Sequence, residues 1–242
     1  MDRLGYTAMT AASRTMLSLQ VRANNLANAN TPGFRADLER VQAVAVEGYG
    51  YDSRYMALVE NAGVSLAPGQ LVATGRALDV AVKGEGLFAV EYGNGEAYTR
   101  HGSLQIDADG RLTIQGRPVL GEGGAIVLPE HEQVAIGADG VISIKPPGEA
   151  EMVEVDRLRL VQAPAAALIK NANGLLVRQD GAPAEAAEQA MVVSGFLESS
   201  NVSAIDELTA TMSLNRLFET QVKMMKAAED LAEAGNRAIR GG

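Results

Sequence analysis

Ala23-Asn24-Asn25-Leu26-Ala27-Asn28-Ala29-Asn30-Thr31-Pro32-Gly33-Phe34-Arg35 contains both the end of a helix and the corner that follows it. Upstream of it, Met9, Ala12, Met16, Leu19, Ala23 and Leu26 follow one another at spacings of three and four, the period of a coiled-coil face. Ser13, Gln20 and Asn24 fall on the opposite side. Pro32 disfavours helix at Thr31, and Pro-Gly is a type II turn pair, so the helix must stop here.

The other end of the chain repeats the arrangement. Ser203 is placed as an N-cap, and Asp206 and Glu207 bring negative charge to the first turn. Leu208, Thr211, Asn215, Phe218, Val222 and Met225 then step by three and four. A second row, Leu214, Leu217, Gln221, Met224, Ala228 and Leu231, lies beside the first, and the helix is expected to fray at Gly241-Gly242.

Between the helices the period changes. Leu78-Asp79-Val80-Ala81-Val82, Leu87-Phe88-Ala89-Val90, Leu112-Thr113-Ile114 and Val141-Ile142-Ser143-Ile144 read as strands, and Gly93-Asn94-Gly95, Asp109-Gly110, Asp139-Gly140 and Asp180-Gly181 as tight turns. The expected fold is mainly β with helical ends: a central domain of roughly ten short antiparallel strands over 76–202, and terminal helices paired in a coiled-coil-like domain formed by 1–34 and 203–242. Residues 35–75 read as an extended, irregular connection.

An isolated helix of this length is marginal in water, so the N-terminal one must dock. The C-terminal helix is its obvious mate, but two apolar rows are wider than one narrow seam can cover. The surplus points to contacts with other chains.

Composition removes several function classes. A net charge of −9 without a basic stretch argues against a nucleic-acid partner. The absence of cysteine excludes disulfides, thiolate metal sites and cysteine nucleophiles. Arg3, Arg14, Gln20, Arg22, Asn24 and Asn25 interrupt any signal-peptide apolar core, and no window is apolar enough for a membrane-spanning helix. With no Trp, no aromatic-lined small-molecule pocket is advertised.

Isolated chemical motifs read as architecture. Asp107-Ala108-Asp109-Gly110 lacks the remaining ligands of a calcium loop and reads as a hairpin turn. His101 and His131 lack metal spacing, and no nucleophile elbow surrounds Ser103. Gly84-Glu85-Gly86 and Gly121-Glu122-Gly123-Gly124 lack a phosphate-binding context and read as turns. Asn24 and Asn25, poor helix formers inside a helix, read as interface amides; Asn28 and Asn30 suit either a bridge between chains or a helix end. Met16, Met212, Met224 and Met225 fit either adaptable interface or core packing.

The stretch from Ala23 to Arg35 resembles the signature of the flagellar axial family of rod, hook and hook–filament junction proteins. Thr74-Gly75-Arg76-Ala77-Leu78-Asp79-Val80-Ala81-Val82-Lys83-Gly84-Glu85-Gly86-Leu87-Phe88-Ala89-Val90, with Tyr98-Thr99-Arg100-His101-Gly102, is similar to the entry of that family's β domain. Gly195-Phe196-Leu197-Glu198-Ser199-Ser200-Asn201-Val202 and Arg216-Leu217-Phe218-Glu219 are similar to its return into the C-terminal helix. At 242 residues the chain resembles rod members rather than hook members, which carry an additional outer domain. Its opening Met1-Asp2-Arg3-Leu4-Gly5-Tyr6-Thr7-Ala8-Met9-Thr10 is most like the proximal-rod branch, and Arg35-Ala36-Asp37-Leu38-Glu39-Arg40 lacks the acidic-aromatic stretch usual in the distal-rod branch.

The resemblance implies a non-enzymatic structural subunit of the flagellar basal-body rod in the periplasm, exported unfolded by the flagellar type III apparatus without a cleavable signal. Its implied partners are itself, other rod and axial proteins and the export apparatus. No cofactor, metal, nucleic acid, membrane insertion or small-molecule substrate is expected. The expected assembly interface comprises Met9, Ala12, Met16, Leu19, Ala23, Asn24, Asn25, Leu26, Asn28, Thr31, Pro32, Gly33 and Phe34, with Leu208, Leu214, Leu217, Phe218, Val222 and Met225. The competing class is a secreted β-rich enzyme or carbohydrate-binding module, which would need convergent titratable groups where this chain has only scattered carboxylates on turns.

Overall fold

The computed structural model describes residues 2–45, 55–93, 95–187 and 189–240. They divide into two compact units, one formed by Met1–Ala27, Leu38–Ala62 and Ser203–Gly242, the other by Asn28–Asp37 and Gly63–Val202.

The first unit is helical. Helix α1 spans Asp2–Ala27 and ends where the Asn-Ala-Asn-Thr-Pro-Gly corner begins. Helix α2 spans Ala204–Arg240, with Asp206 and Glu207 in its first turn and Arg237 and Arg240 in its last, the charge order its dipole favours. Ser203 caps it, its Oγ accepting from the Asp206 N–H at 3.4 Å. The expected fraying at Gly241-Gly242 lies outside the described residues. Most of a two-stranded sheet, Asp37–Ala45 with Tyr55–Val64, completes the unit.

The second unit is β-rich. Its largest sheet has six strands in the order Leu168–Lys170, Leu176–Arg178, Gly95–Thr99, Leu87–Tyr92, Leu160–Gln162, Glu185–Ala186. Leu87, Phe88, Ala89 and Val90 are all buried because successive side chains point to opposite faces and both faces are covered. Phe88 and Val90 enter a core with Val80, Leu104, Leu112, Ile114, Ile126 and Ile142. Leu87 and Ala89 enter a second with Val64, Tyr98, Val161, Leu168 and Leu176. The Tyr98 hydroxyl accepts a hydrogen bond from the Ala184 N–H at 2.8 Å, so its polar end is satisfied inside the core.

Three expectations change. Among the described residues of 35–75 lie both strands of the two-stranded sheet and Leu71–Ala73, more regular structure than an irregular connection. Leu71–Ala73 pairs with Phe196–Glu198, a partner that no local pattern reveals. Instead of roughly ten strands, seventeen lie within 76–202 among the described residues, many only two or three residues long. The expected strand at Leu78–Val82 is Val80–Lys83, with Asp79 in an isolated bridge to Ser103. The Asp-Gly turns hold, with Gly110, Gly140 and Gly181 in the left-handed region. Asn94, at the centre of the expected Gly93–Gly95 turn, lies outside the described residues.

Candidate assembly interface

The two helices are antiparallel. Thr15 Oγ1 donates to Gln221 Oε1 at 3.0 Å in a buried contact. Nearer the other end of the pair, Asn25 Nδ2 and Arg22 Nη1 each lie 3.3 Å from Glu207 Oε1. Arg22 Nη2 also donates to Glu39 at 3.3 Å, joining α1, α2 and the two-stranded sheet through one guanidinium. The inward row of α1 is Ala8, Ala12, Thr15, Ser18 and Asn25, all buried. On α2 the buried residues are Glu207, Gln221 and Ala228, with Thr211, Leu214, Phe218 and Met225 half-buried between them at the same three-and-four spacing.

The seam therefore differs from the apolar row expected on α1. Of that row, Ala12 is buried and Leu19 and Leu26 are half-buried, but Met9, Met16 and Ala23 face outward. Small side chains allow two helix backbones to approach closely, and the polar ones find partners across the gap. Many of the long apolar side chains are left outside: Tyr6, Met9, Met16 and Leu17 on α1, and Ile205, Leu208, Met212, Leu217, Val222, Met224 and Leu231 on α2. Asn24 is exposed and Asn25 is buried, so the two in-helix amides have different surroundings. The expected interface set is thus split between an inner seam and an outer face.

The corner is built into the β unit. Thr31 N–H donates to Asn28 O and Phe34 N–H to Thr31 O, two successive turns, and Thr31 Oγ1 lies 3.2 Å from Asn28 Oδ1. Asn28, Thr31, Pro32 and Phe34 are half-buried. Gly33 has φ +68°, and a Cβ there would sit 2.3 Å from the backbone carbon of Arg100 and the nitrogen of His101. Phe34 lies under Lys170, whose Nζ is 3.9 Å from the ring centre, 2.7 Å from Asp37 and 2.8 Å from Arg35 O. Burial pulls the Lys170 ammonium below its ordinary value, and Asp37 opposes that shift.

Three residues that composition and spacing did not single out hold this corner. Glu198 is buried, with one oxygen 2.8 Å from Arg35 Nη2 and the other 3.1 Å from Arg100 Nη1. Glu198 Oε1 also accepts from the Gly69 N–H at 2.6 Å. The two guanidiniums are satisfied further by backbone carbonyls: Arg35 by Ala67, Arg100 by Val82 and Gly84. Burial lowers the Arg100 guanidinium below its ordinary value; Glu198 opposes the shift and Arg35 adds to it. Asn201 is a second tie, accepting from the Ala36 N–H at 2.8 Å and donating to Ser65 O and Ala67 O at 3.0 and 2.9 Å. Arg35, Arg100, Glu198 and Asn201 stand within the family-like motifs, but a contact across the chain leaves no local periodicity.

The remaining candidates act locally. Asp107 Oδ1 accepts from the N–H groups of Asp109 and Arg111, which closes the hairpin turn. His101 is held below its ordinary value by burial, with Asp79 pulling the other way. His131 Nδ1 lies 2.7 Å from Pro129 O. Ser103 Oγ accepts from Arg76.

Family models match three stretches of the chain: flagella basal body rod protein over 6–35, the D1 domain of the flagellar hook protein FlgE/F/G over 81–144, and the C-terminal part of flagellar basal body rod FlgEFG proteins over 193–238. Flagellar basal-body rod protein FlgF of Escherichia coli K12 is 40% identical over 248 residues, covering 99% of each chain. The chain belongs to the FlgF family of flagellar basal-body rod proteins. FlgF of Salmonella typhimurium LT2 is likewise 40% identical over 99% of each chain. FlgG of Bacillus subtilis 168 is 29% identical, over 94% of this chain and 96% of that one. As a FlgF-family protein the chain is a structural component of the basal-body rod. Arg35, Arg100 and Glu198 come one from each matched stretch and meet as a buried ion triad within the β-rich unit.

Proposed function

We propose that this chain is a proximal-rod subunit whose terminal helices, residues 1–34 with 203–242, pack against the terminal helices of neighbouring rod subunits to form a tubular drive shaft. The observation that carries this reading is the outward apolar face of the helical unit. Met9 and Met16 on α1 and Leu208, Leu217 and Val222 on α2 stay exposed, outside a seam of small and polar residues on α1 and of mixed polar and apolar residues on α2. Leu208 and Val222 lie on one flank of the α2 seam and Leu217 on the other, so α2 offers apolar side chains to neighbours on both sides. Identical or related subunits joined through unlike surfaces form an open helical array rather than a closed ring.

The β unit, 76–202 in its central part, forms the outer layer that sets subunit spacing. Export proceeds unfolded through the flagellar type III apparatus into the periplasm. Absence of cysteine suits passage through an oxidising compartment. The subunit performs no catalysis and holds no cofactor; its titratable clusters are spent on internal ion pairs such as Arg35–Glu198–Arg100.

The test is Leu217→Asp and Val222→Asp in cells lacking the native subunit. Both side chains are exposed in the isolated chain, so the purified variants keep the parental thermal melt, while rods fail to form and motility is lost. Full motility with both substitutions would remove the outer face from the interface.

A further inference from the structure

Each terminal helix carries two rival rows. One is long and apolar, with Met9 and Met16 on α1 and Leu217 and Met224 on α2. The other is the one that faces inward: small and polar on α1, and on α2 the buried Glu207, Gln221 and Ala228 interleaved with half-buried Leu214, Phe218 and Met225. On α1, apolar burial alone would favour the first row, since large side chains remove more area from water.

We infer that Thr15–Gln221, together with the contacts of Arg22 and Asn25 to Glu207, is a register lock that selects the face and axial alignment shared by α1 and α2 and keeps the apolar rows turned outward. Thr15 and Gln221 meet at 3.0 Å in a buried contact, and Ala8 and Ala228 lie two turns away on their respective helices, also buried. A slip of one heptad would set Thr15 against Ala228 in one direction. In the other it would set Thr15 against Leu214 and Gln221 against Ala8. Either slip strips buried polar groups of their partners, which costs more than the hydrogen bond itself contributes. Glu207 repeats the logic near the other end of the pair, where a buried carboxylate would lose both Arg22 and Asn25. A single buried polar pair is known to fix register and orientation in coiled helices at some expense in stability. Here the same device determines which surface is left for neighbours.

The lock rests on the proposed assembly role for its purpose, but the alignment itself is read on the isolated full-length chain. The chain has no cysteine, so introduced pairs report without background. Ala8→Cys/Ala228→Cys reports the native alignment and Ala8→Cys/Gly235→Cys a one-heptad slip. With the native seam, only the first pair is expected to close a disulfide. In the Thr15→Leu/Gln221→Leu background, helicity by circular dichroism should hold or rise, the native pair should lose yield and the slipped pair should gain it. Thr15→Val/Gln221→Met, nearly unchanged in volume, repeats the measurement if the first variant does not fold. Native-pair yield unchanged in a folded variant overturns the lock. So does loss of helix in both variants, because the contacts would then stabilise without selecting. A register shift accompanied by normal rod assembly would preserve the lock and refute the assembly role of the outer face.

Discussion

Arg35 and Glu198 stand 163 positions apart and meet as a buried ion pair at 2.8 Å. Arg100 approaches the second oxygen of the same carboxylate at 3.1 Å, so one anion is shared by two cations. Removing the anion leaves two buried guanidiniums without a counter-charge, and breaking such a pair costs about 3–5 kcal/mol. Glu198→Ala should lower the unfolding free energy of the chain by about that amount, measured by urea denaturation. A loss below about 1 kcal/mol would show that the carbonyls of Ala67, Val82 and Gly84 satisfy the arginines unaided.

Gly33 is required on two independent grounds. Its left-handed backbone costs a residue with a side chain about 1–2 kcal/mol. A Cβ would also collide with the Arg100–His101 backbone at 2.3 Å, where nothing flexible can yield. Gly33→Ala should destabilise the chain by more than the backbone term alone, whereas Gly75→Ala, at a positive φ with open space around it, should cost only that term. Equal losses would mean the collision is relieved.

Asn201 discriminates between a lost contact and a reversed one. Asn201→Ala removes three hydrogen bonds, worth about 1.5–4.5 kcal/mol together. Asn201→Asp keeps the acceptor for Ala36 but points a carboxylate oxygen at the carbonyls of Ser65 and Ala67. It should be the more damaging of the two, and chemical denaturation of both variants at neutral pH gives the order.

Ala12 and Met16 test the inner seam against the outer face of α1. Ala12 is buried and Met16 exposed. Ala12→Asp should lower the stability of the purified chain by more than about 2 kcal/mol through burial of a charge. Met16→Asp should change it by no more than about 0.5 kcal/mol. Similar losses for both would place Met16 inside the chain's own packing.

His101 makes stability depend on pH. Burial depresses its folded value below the ordinary 6.5, so the unfolded chain binds the proton first as pH falls. The contribution is complete above 6.5 and is lost progressively between 6.5 and the folded value. Compared with His101→Gln, the parent chain should therefore lose additional stability between about pH 7 and 5. Parallel urea midpoints for the two proteins across that range would contradict it.

Both helices, the Pro-Gly stop and the Asp-Gly turns were legible because each depends on neighbours within a few residues. The short run Leu87–Val90 was legible as a strand, and its burial on both faces accounts for the absence of alternation. Leu71–Ala73 was missed because its partner, Phe196–Glu198, is contiguous with it only in space. Glu198 and Asn201 lay within a recognised motif, yet their roles depend on Arg35, Arg100, Ser65 and Ala67 brought together by the fold.

From sequence alone came the mainly β chain with helical ends, the family and the presence of more apolar helix surface than two helices can hide from water. Which surface goes inside was decided only in the tertiary structure. Periodicity marks a row without ranking it against a rival, and the apolar row was the stronger signal. On α1 the folded chain buries the quieter row because small residues let the helices approach. Thr15–Gln221 and Glu207 with Arg22 and Asn25 then pair polar groups between opposite ends of the chain.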